Sequence, residues 1–192
     1  MNPSDQSRPS AEAFAALVAG IGPDQLDNPT PCAGWSVRDL LNHVYGAGNL
    51  FAAIFAGREP APAPDAPVDL VGDNPLAAWL GVVDALGSAV DSPGALDRIA
   101  PMPWGPTPTA VLYELVKMDL LVHGWDLAQA TGQTYDPAAE VVDPVLASAR
   151  QIIAPEMRFE GGPFAAEVAA PADARPLQRL AAFTGRAIST GL

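Results

Sequence analysis

The sequence is poor in the residues from which most chemistry-bearing motifs are built: one cysteine, two histidines and ten basic side chains in 192 residues. The single cysteine, Cys32, leaves no intramolecular disulfide and no multi-cysteine metal motif, and it fits a reducing compartment. Ten Lys and Arg against 22 Asp and Glu, a formal charge of -12, repel a phosphate backbone at long range, so nucleic acid is not an expected partner. No apolar run approaches the roughly 18 residues of a membrane span. The start "MNPSDQSRPS" has neither the basic residues nor the apolar stretch of a secretory signal. A cytoplasmic protein without a membrane partner is expected. Repeats and low-complexity linkers are also lacking, and the length suits one sizeable core, so one domain over 1–192 is expected.

What is abundant is helical periodicity cut by proline. A first helix is expected from about Ser10 through "AEAFAALVAGI" to Gly22, followed by a long ordered loop in "PDQLDNPTPCAGW". A long helix follows Ser36, with Asp39 placed as in a capping box and Gly57 as its stop. The prolines of "REPAPAPDAPVDLVGDNP" dictate a loop. Pro75 opens a third helix at a first-turn position, and "PMPWGPTP" reads as a second proline-rich connection. The fourth and most apolar helix runs from Thr109 to about Ala130. A fifth is interrupted or restarted at Pro144, and a short extended piece and a closing helix end the chain. These elements predict an all-α fold, an up-and-down bundle of four main helices with a short C-terminal extension.

Both histidines fall in such helices. At about 100° per residue, Asp119, His123 and Asp126 of "MDLLVHGWDLAQATG" share one face of the fourth helix, within roughly 60°. A buried carboxylate must be paired, coordinated or protonated. On the second helix His43 falls in the stripe Leu40, Ala47, Leu50 and Ile54, with Arg38, Tyr45 and Asn49 on the other side. Two core-facing histidines on long helices are the pattern from which bundles build metal sites. Two imidazoles and a carboxylate suit Zn²⁺ foremost, with Ni²⁺ or Fe²⁺ as alternatives, and three protein ligands leave a position open for chemistry. Spacing alone leaves a satisfied hydrogen-bond network as the rival explanation. His43, Asp119 and His123 are the candidate ligands. Asp126 is expected to orient a ligand or to replace Asp119. Asp39, four residues before His43, forms a second Asp-x-x-x-His pair, but as third helical residue it also suits a cap. Cys32 has no further histidine to activate it and is expected to pack. Trp104, just before the fourth helix, is the candidate pocket wall. No catalytic residue can be named.

The segments "TPCAGWSVRDLLNHV", "DLLVHGWDLAQATG" and "PADARPLQRLAAFTGR", in this order, resemble the actinobacterial metal-binding branch of the DinB/YfiT-like superfamily, related to the N-terminal domain of mycothiol-dependent maleylpyruvate isomerase. That resemblance implies a DinB-like four-helix bundle with one divalent metal held at the positions of His43, Asp119 and His123, where the isomerase pattern has Glu in place of Asp119. It further implies a metal-dependent transferase or isomerase that activates a low-molecular-weight thiol such as mycothiol, acting on a small-molecule substrate. A metal ion deprotonates a bound thiol at neutral pH, which gives this chemistry its physical sense. A hydrolase using metal-bound hydroxide and a noncatalytic metal- or small-molecule-binding bundle are the alternatives, and a homodimer stays open.

Overall fold

Four long helices carry most of the core: α1 (Ser4–Ala19), α2 (Val37–Phe55), α3 (Pro75–Val90) and α4 (Thr109–Thr131). In the computed structural model, which describes residues 2–59, 66, 68–158 and 164–188, α1 packs on α3 and α4, and α2 packs on the same two helices. Their shared core holds Phe14, Leu40, Leu41, Val44, Tyr45, Trp79 and Leu127. Then α5 (Ala139–Ile152) packs on α4, and α6 (Pro176–Phe183) packs on both α5 and α4. A second core of Leu121, Val122, Trp125, Val142 and Leu180 fills that side. The described residues are mostly helical, with one small two-stranded sheet among them.

Helix α4 is therefore covered on both sides, and from Leu120 to Ala128 every residue is buried. A one-sided stripe cannot be drawn on such a helix; its neighbours, not its own periodicity, decide what each side chain meets.

The capping signals sit where the sequence places them. Ser36 accepts a hydrogen bond from the Asp39 amide while the Asp39 carboxylate accepts from the Ser36 amide, closing the box at the start of α2. Asn74 caps α3, with Pro75 at its first turn. Other expectations need correction. Helix α1 begins at Ser4 rather than near Ser10 and carries Pro9 inside it. Tertiary bonds hold this extra turn: Ser4 donates to Asp91 through its amide and its hydroxyl, and the Tyr113 hydroxyl donates to the Pro3 carbonyl. Pro144 likewise sits inside a continuous α5. Residues 60–65 and 67 of the proline-rich loop after α2 lie outside the described residues.

"PMPWGPTP" lies in a hairpin, β1 (Ile99–Met102) paired antiparallel with β2 (Gly105–Pro108), and not in an irregular connection. The register explains how prolines are tolerated. Pro101 faces Pro106 and Ile99 faces Pro108, while the Thr109 amide donates to the Arg98 carbonyl beside them. The prolines thus occupy the non-hydrogen-bonded pairs of the ladder, where no amide is required.

The α2–α3 contact is close because Gly48 has no side chain; a Cβ there would overlap Val82 Cγ1. Gly48→Ala is expected to lower stability by about 1–3 kcal/mol, the usual cost of overpacking, read from the denaturant midpoint. Part of the loss should return in Gly48→Ala, Val82→Ala. A double variant no more stable than the single one would mean that the cost lies elsewhere.

Candidate metal centre

Three of the residues singled out in the sequence meet where α2 faces α4. His43 Nε2 lies 3.8 Å from Asp119 Oδ1, and His123 Nε2 lies 3.3 Å from the same oxygen. The three ligand atoms are all within 4.8 Å of one another. Ligand atoms about 2.0–2.2 Å from a tetrahedral cation stand roughly 3.3–3.6 Å apart, so small side-chain adjustments would bring these three around one ion. The imidazoles meet edge to face, with ring centroids 5.0 Å apart and planes at 72°.

His43 departs from the expected picture in an informative way. The core face of α2 is Leu40, Leu41, Val44, Tyr45, Gly48, Ala52 and Phe55. Tyr45, expected on the far side, is fully buried against Trp79, whereas Leu50 is exposed. That places the centre of the buried arc about 130° from His43, at the rim. The side chains of His43 and Asp119 are 40% and 30% exposed, and that of His123 is 8% exposed. The group is therefore closed on the α4 side and open toward solvent on the α2 side. Beneath Asp119, a crevice bounded by Val44, Gly48, Val116 and Leu120 measures only about 10 Å³, room for about one water. Any ligand larger than water would have to reach the group from the open rim.

Behind His123 is a second polar node, centred on a fully buried carboxylate. Its Nδ1 lies 2.9 Å from Oδ2 of Asp126, a carboxylate with no exposed side-chain surface. The same carboxylate accepts from Arg186 at both oxygens, Nε to Oδ1 at 3.2 Å and Nη2 to Oδ2 at 2.8 Å, and from the Cys32 thiol at 3.2 Å. Its acceptor capacity is nearly used up. An ionised Asp126 requires Nδ1 of His123 to carry a hydrogen, which in the neutral ring leaves the Nε2 lone pair directed at Asp119 and His43.

Among the described residues two groups have metal-ligand geometry, His43–Asp119–His123 and Cys32–His123–Asp126. Only the first can accept a cation readily. In the second, the Arg186 guanidinium already supplies the positive charge, spanning both carboxylate oxygens with Nη2 3.5 Å from Cys32 Sγ; a divalent ion there would meet a fixed like charge.

The electrostatics follow from these contacts. Burial alone would raise the Asp119 carboxyl, but His123 and then His43 outweigh it and hold the group far below the usual carboxylate range. Burial would likewise lower His123, yet Asp119, Asp126 and Cys32 together hold its imidazole well above 6.5. For Asp126, burial opposes ionisation and is overcome by His123 and Arg186.

The remaining expectations divide. Asp126 sits on the ring of His123, as an orienting residue would. Asp39 is spent on its cap, where the Ser36 amide and hydroxyl both donate to it, and belongs to neither group. Trp104 lies at the hairpin turn, 56% exposed, with Nε1 donating to Thr107. The aromatic wall of the site is Trp35 instead, its ring centroid 4.9 Å from that of His43 and 6.2 Å from that of His123. Cys32 packs, as expected, but within a charged node. Trp35 and Cys32 share a loop with signals of its own: Thr30 ties it internally, Gln25 and Asn28 donate to the carbonyls of Thr131 and Ala130, and it leads directly into the cap of α2.

The family model of the mycothiol maleylpyruvate isomerase N-terminal domain matches residues 7–128, a span that includes His43, Asp119, His123 and Asp126 but not Arg186. Uncharacterized proteins from two strains of Mycobacterium tuberculosis are each 38% identical over 188 residues, 98% of this chain and 100% of the relative. Among solved structures, the mycothiol-dependent maleylpyruvate isomerase superposes with a TM-score of 0.61 at 18% identity, over 84% of this chain and 72% of its own. A histidine-to-alanine mutant of the mycothiol-dependent maleylpyruvate isomerase gives 0.56 at 16% identity, over 76% and 66%. At such identities the likeness is one of fold.

Proposed function

Because the chain belongs to the family of the mycothiol maleylpyruvate isomerase N-terminal domain, we propose that it is a single-domain, DinB-like metal-dependent enzyme that transfers or isomerises with the help of a low-molecular-weight thiol of the mycothiol type. The α1–α4 contacts then form the four-helix bundle of that fold. The observation that carries the reading is the convergence of His43, Asp119 and His123 on one point that is buried behind and open in front. A divalent cation, Zn²⁺ before Ni²⁺ or Fe²⁺ given two imidazoles and one carboxylate, would supply there a Lewis acid able to lower the pKa of a thiol.

This chain's own residues do the rest. His123, its Nδ1 engaged by Asp126, holds its Nε2 lone pair in place; Asp119 adds one negative charge; His43 closes the triad from the rim. Three protein ligands leave room for the thiol, which enters across the face lined by Trp35. The small-molecule substrate arrives on the same exposed side. Thiol dependence separates this reading from the hydrolase alternative. The stripped protein is reloaded with Zn²⁺ and assayed on unsaturated keto acids and on thiol acceptors, with and without thiol. Turnover unaffected by omitting the thiol would refute thiol-dependent catalysis.

The titrations predict how loading responds to pH. His123, raised in the metal-free fold, contributes stability below its unfolded value of about 6.5, and that contribution is lost as pH rises through the raised value. The depressed carboxylates Asp119 and Asp126 contribute above about 4 and lose their contribution as pH falls through their lowered values. If Nε2 of His123 holds a cation, the charged ring would have to give up the proton on that nitrogen, so uptake would release a proton and would strengthen with pH. The difference in Tm between Zn²⁺-loaded and stripped protein should therefore widen from about pH 6 to about pH 8.5. A constant or shrinking difference would count against His123 as a ligand.

A further inference from the structure

The C-terminal Arg186 lies sixty positions beyond Asp126 in sequence and outside the span matched by the family model. We propose that Arg186 is a positioning residue for the metal site: its guanidinium fixes the plane of the Asp126 carboxylate, which fixes the ring and tautomer of His123 and thereby sets metal affinity. This rests on the reading of His43, Asp119 and His123 as a cation site.

The backbone holds Arg186 in place before any side-chain contact is made. Helix α6 ends in a Schellman arrangement, with the Arg186 amide donating to the Ala181 carbonyl and the Gly185 amide to that of Ala182. Gly185 has φ +94°, a left-handed conformation suited to glycine, and a Cβ there would run into Ala165. The turn "TGR" thus directs the residue after the glycine back toward α4. Arg186 is also pinned by its Nη1, which donates to the Thr184 carbonyl at 3.2 Å.

From that position it reaches Asp126 as a fork, Nε on Oδ1 and Nη2 on Oδ2. Two parallel bonds define a plane as well as a distance. A carboxylate only three residues from His123 on the same helix has other rotamers available. The fork selects the one that brings Oδ2 to 2.9 Å from Nδ1. Cys32, donating to the same oxygen from the opposite loop, completes the setting. Three separate parts of the chain thus converge on one side chain that stands behind His123, outside the His43–Asp119–His123 group. Lysine cannot replace the fork, because its ammonium is a point charge without the planar geometry.

The test uses the full chain with uniformly ¹⁵N-labelled histidine, stripped of metal, and Zn²⁺ titrated in competition with a chromophoric chelator. Arg186→Gln should weaken Zn²⁺ binding by about 10–100-fold, the range for losing an outer-shell partner. The ring nitrogens of His123, resolved as one Nδ1–H tautomer in the parent's neutral form, should become averaged. Arg186→Lys should fall between the two, and it serves as the test variant if Arg186→Gln does not fold. In an Asp126→Asn background, Arg186→Gln should add no more than about twofold, because both changes act through one carboxylate. If Arg186 only anchors the C-terminal segment, the variants will melt earlier while Zn²⁺ affinity stays within about twofold and the ring spectra are unchanged; that result overturns the proposal. A parent chain that takes up no Zn²⁺ would refute the reading of the site, and the metal-affinity part of this inference with it.

Discussion

His123→Ala is expected to weaken divalent-metal binding by about a hundredfold or more. Four-ligand structural zinc sites are worth about 10–16 kcal/mol, so one ligand carries on the order of 3 kcal/mol, slightly over two decades in affinity. His123 should be the most sensitive of the three ligands. It is the most buried of them, its ring is held from behind by Asp126, and it lies closest to Asp119. His43, 40% exposed at the rim, has water available to replace it, so His43→Ala should cost less. Titration of stripped protein with Zn²⁺ should give about one equivalent for the parent and none retained by the double variant His43→Ala, His123→Ala at the same concentration. Full occupancy in that double variant would remove the metal centre from consideration.

Asp126→Ala should be the most damaging single change to the stability of the metal-free fold. The carboxylate is completely buried, and removing it leaves the Arg186 guanidinium and the ring of His123 facing a cavity without a counter-charge. Breaking a buried ion pair on one side costs about 3–5 kcal/mol, which for a chain of this size corresponds to a fall in Tm of roughly 6–20 °C. Asp126→Asn keeps the volume and one acceptor oxygen, so it should lose less. The pH profile identifies the cause: the parent gains stability as pH rises above the depressed titration of Asp126, and Asp126→Ala should lack its share of that gain. If differential scanning calorimetry shows Asp126→Ala within about 1 kcal/mol of the parent, the node does not hold the C-terminal segment to α4 as its contacts imply.

Asp119 and His123 could be paired from sequence because both lie on α4, where four residues bring side chains to neighbouring positions. The Ser36–Asp39 box and Pro75 were legible for the same reason, since capping is decided within a few residues. His43 was legible as a residue of interest but not as a rim residue. The apolar ladder drawn through it omitted Tyr45, whose burial depends on Trp79 of α3 and cannot be read from α2 alone. Trp104 stood close in sequence to α4 but sits on the hairpin turn, whereas Trp35 reached the histidines through the loop before α2.

The hairpin and the Asp126 node were hidden for different reasons. In "PMPWGPTP" the prolines argue against strands until the register shows that their missing amides are not needed. In the node, Cys32, Asp126 and Arg186 are separated by 94 and 60 positions, and no periodicity links residues that meet only when three segments have packed.

By itself, then, the sequence determined where the main helices lie, where local caps begin α2 and α3, and that one helix carries an Asp-x-x-x-His pair, because those properties depend on neighbours within a turn or two. The tertiary structure decided that Asp119 rather than Asp126 meets both histidines, which side of that group stays open, and how a C-terminal arginine comes to stand behind a histidine of α4. Those depend on the mutual placement of helices and loops, where long-range packing and the need to neutralise a buried carboxylate select among arrangements that local pattern leaves equal.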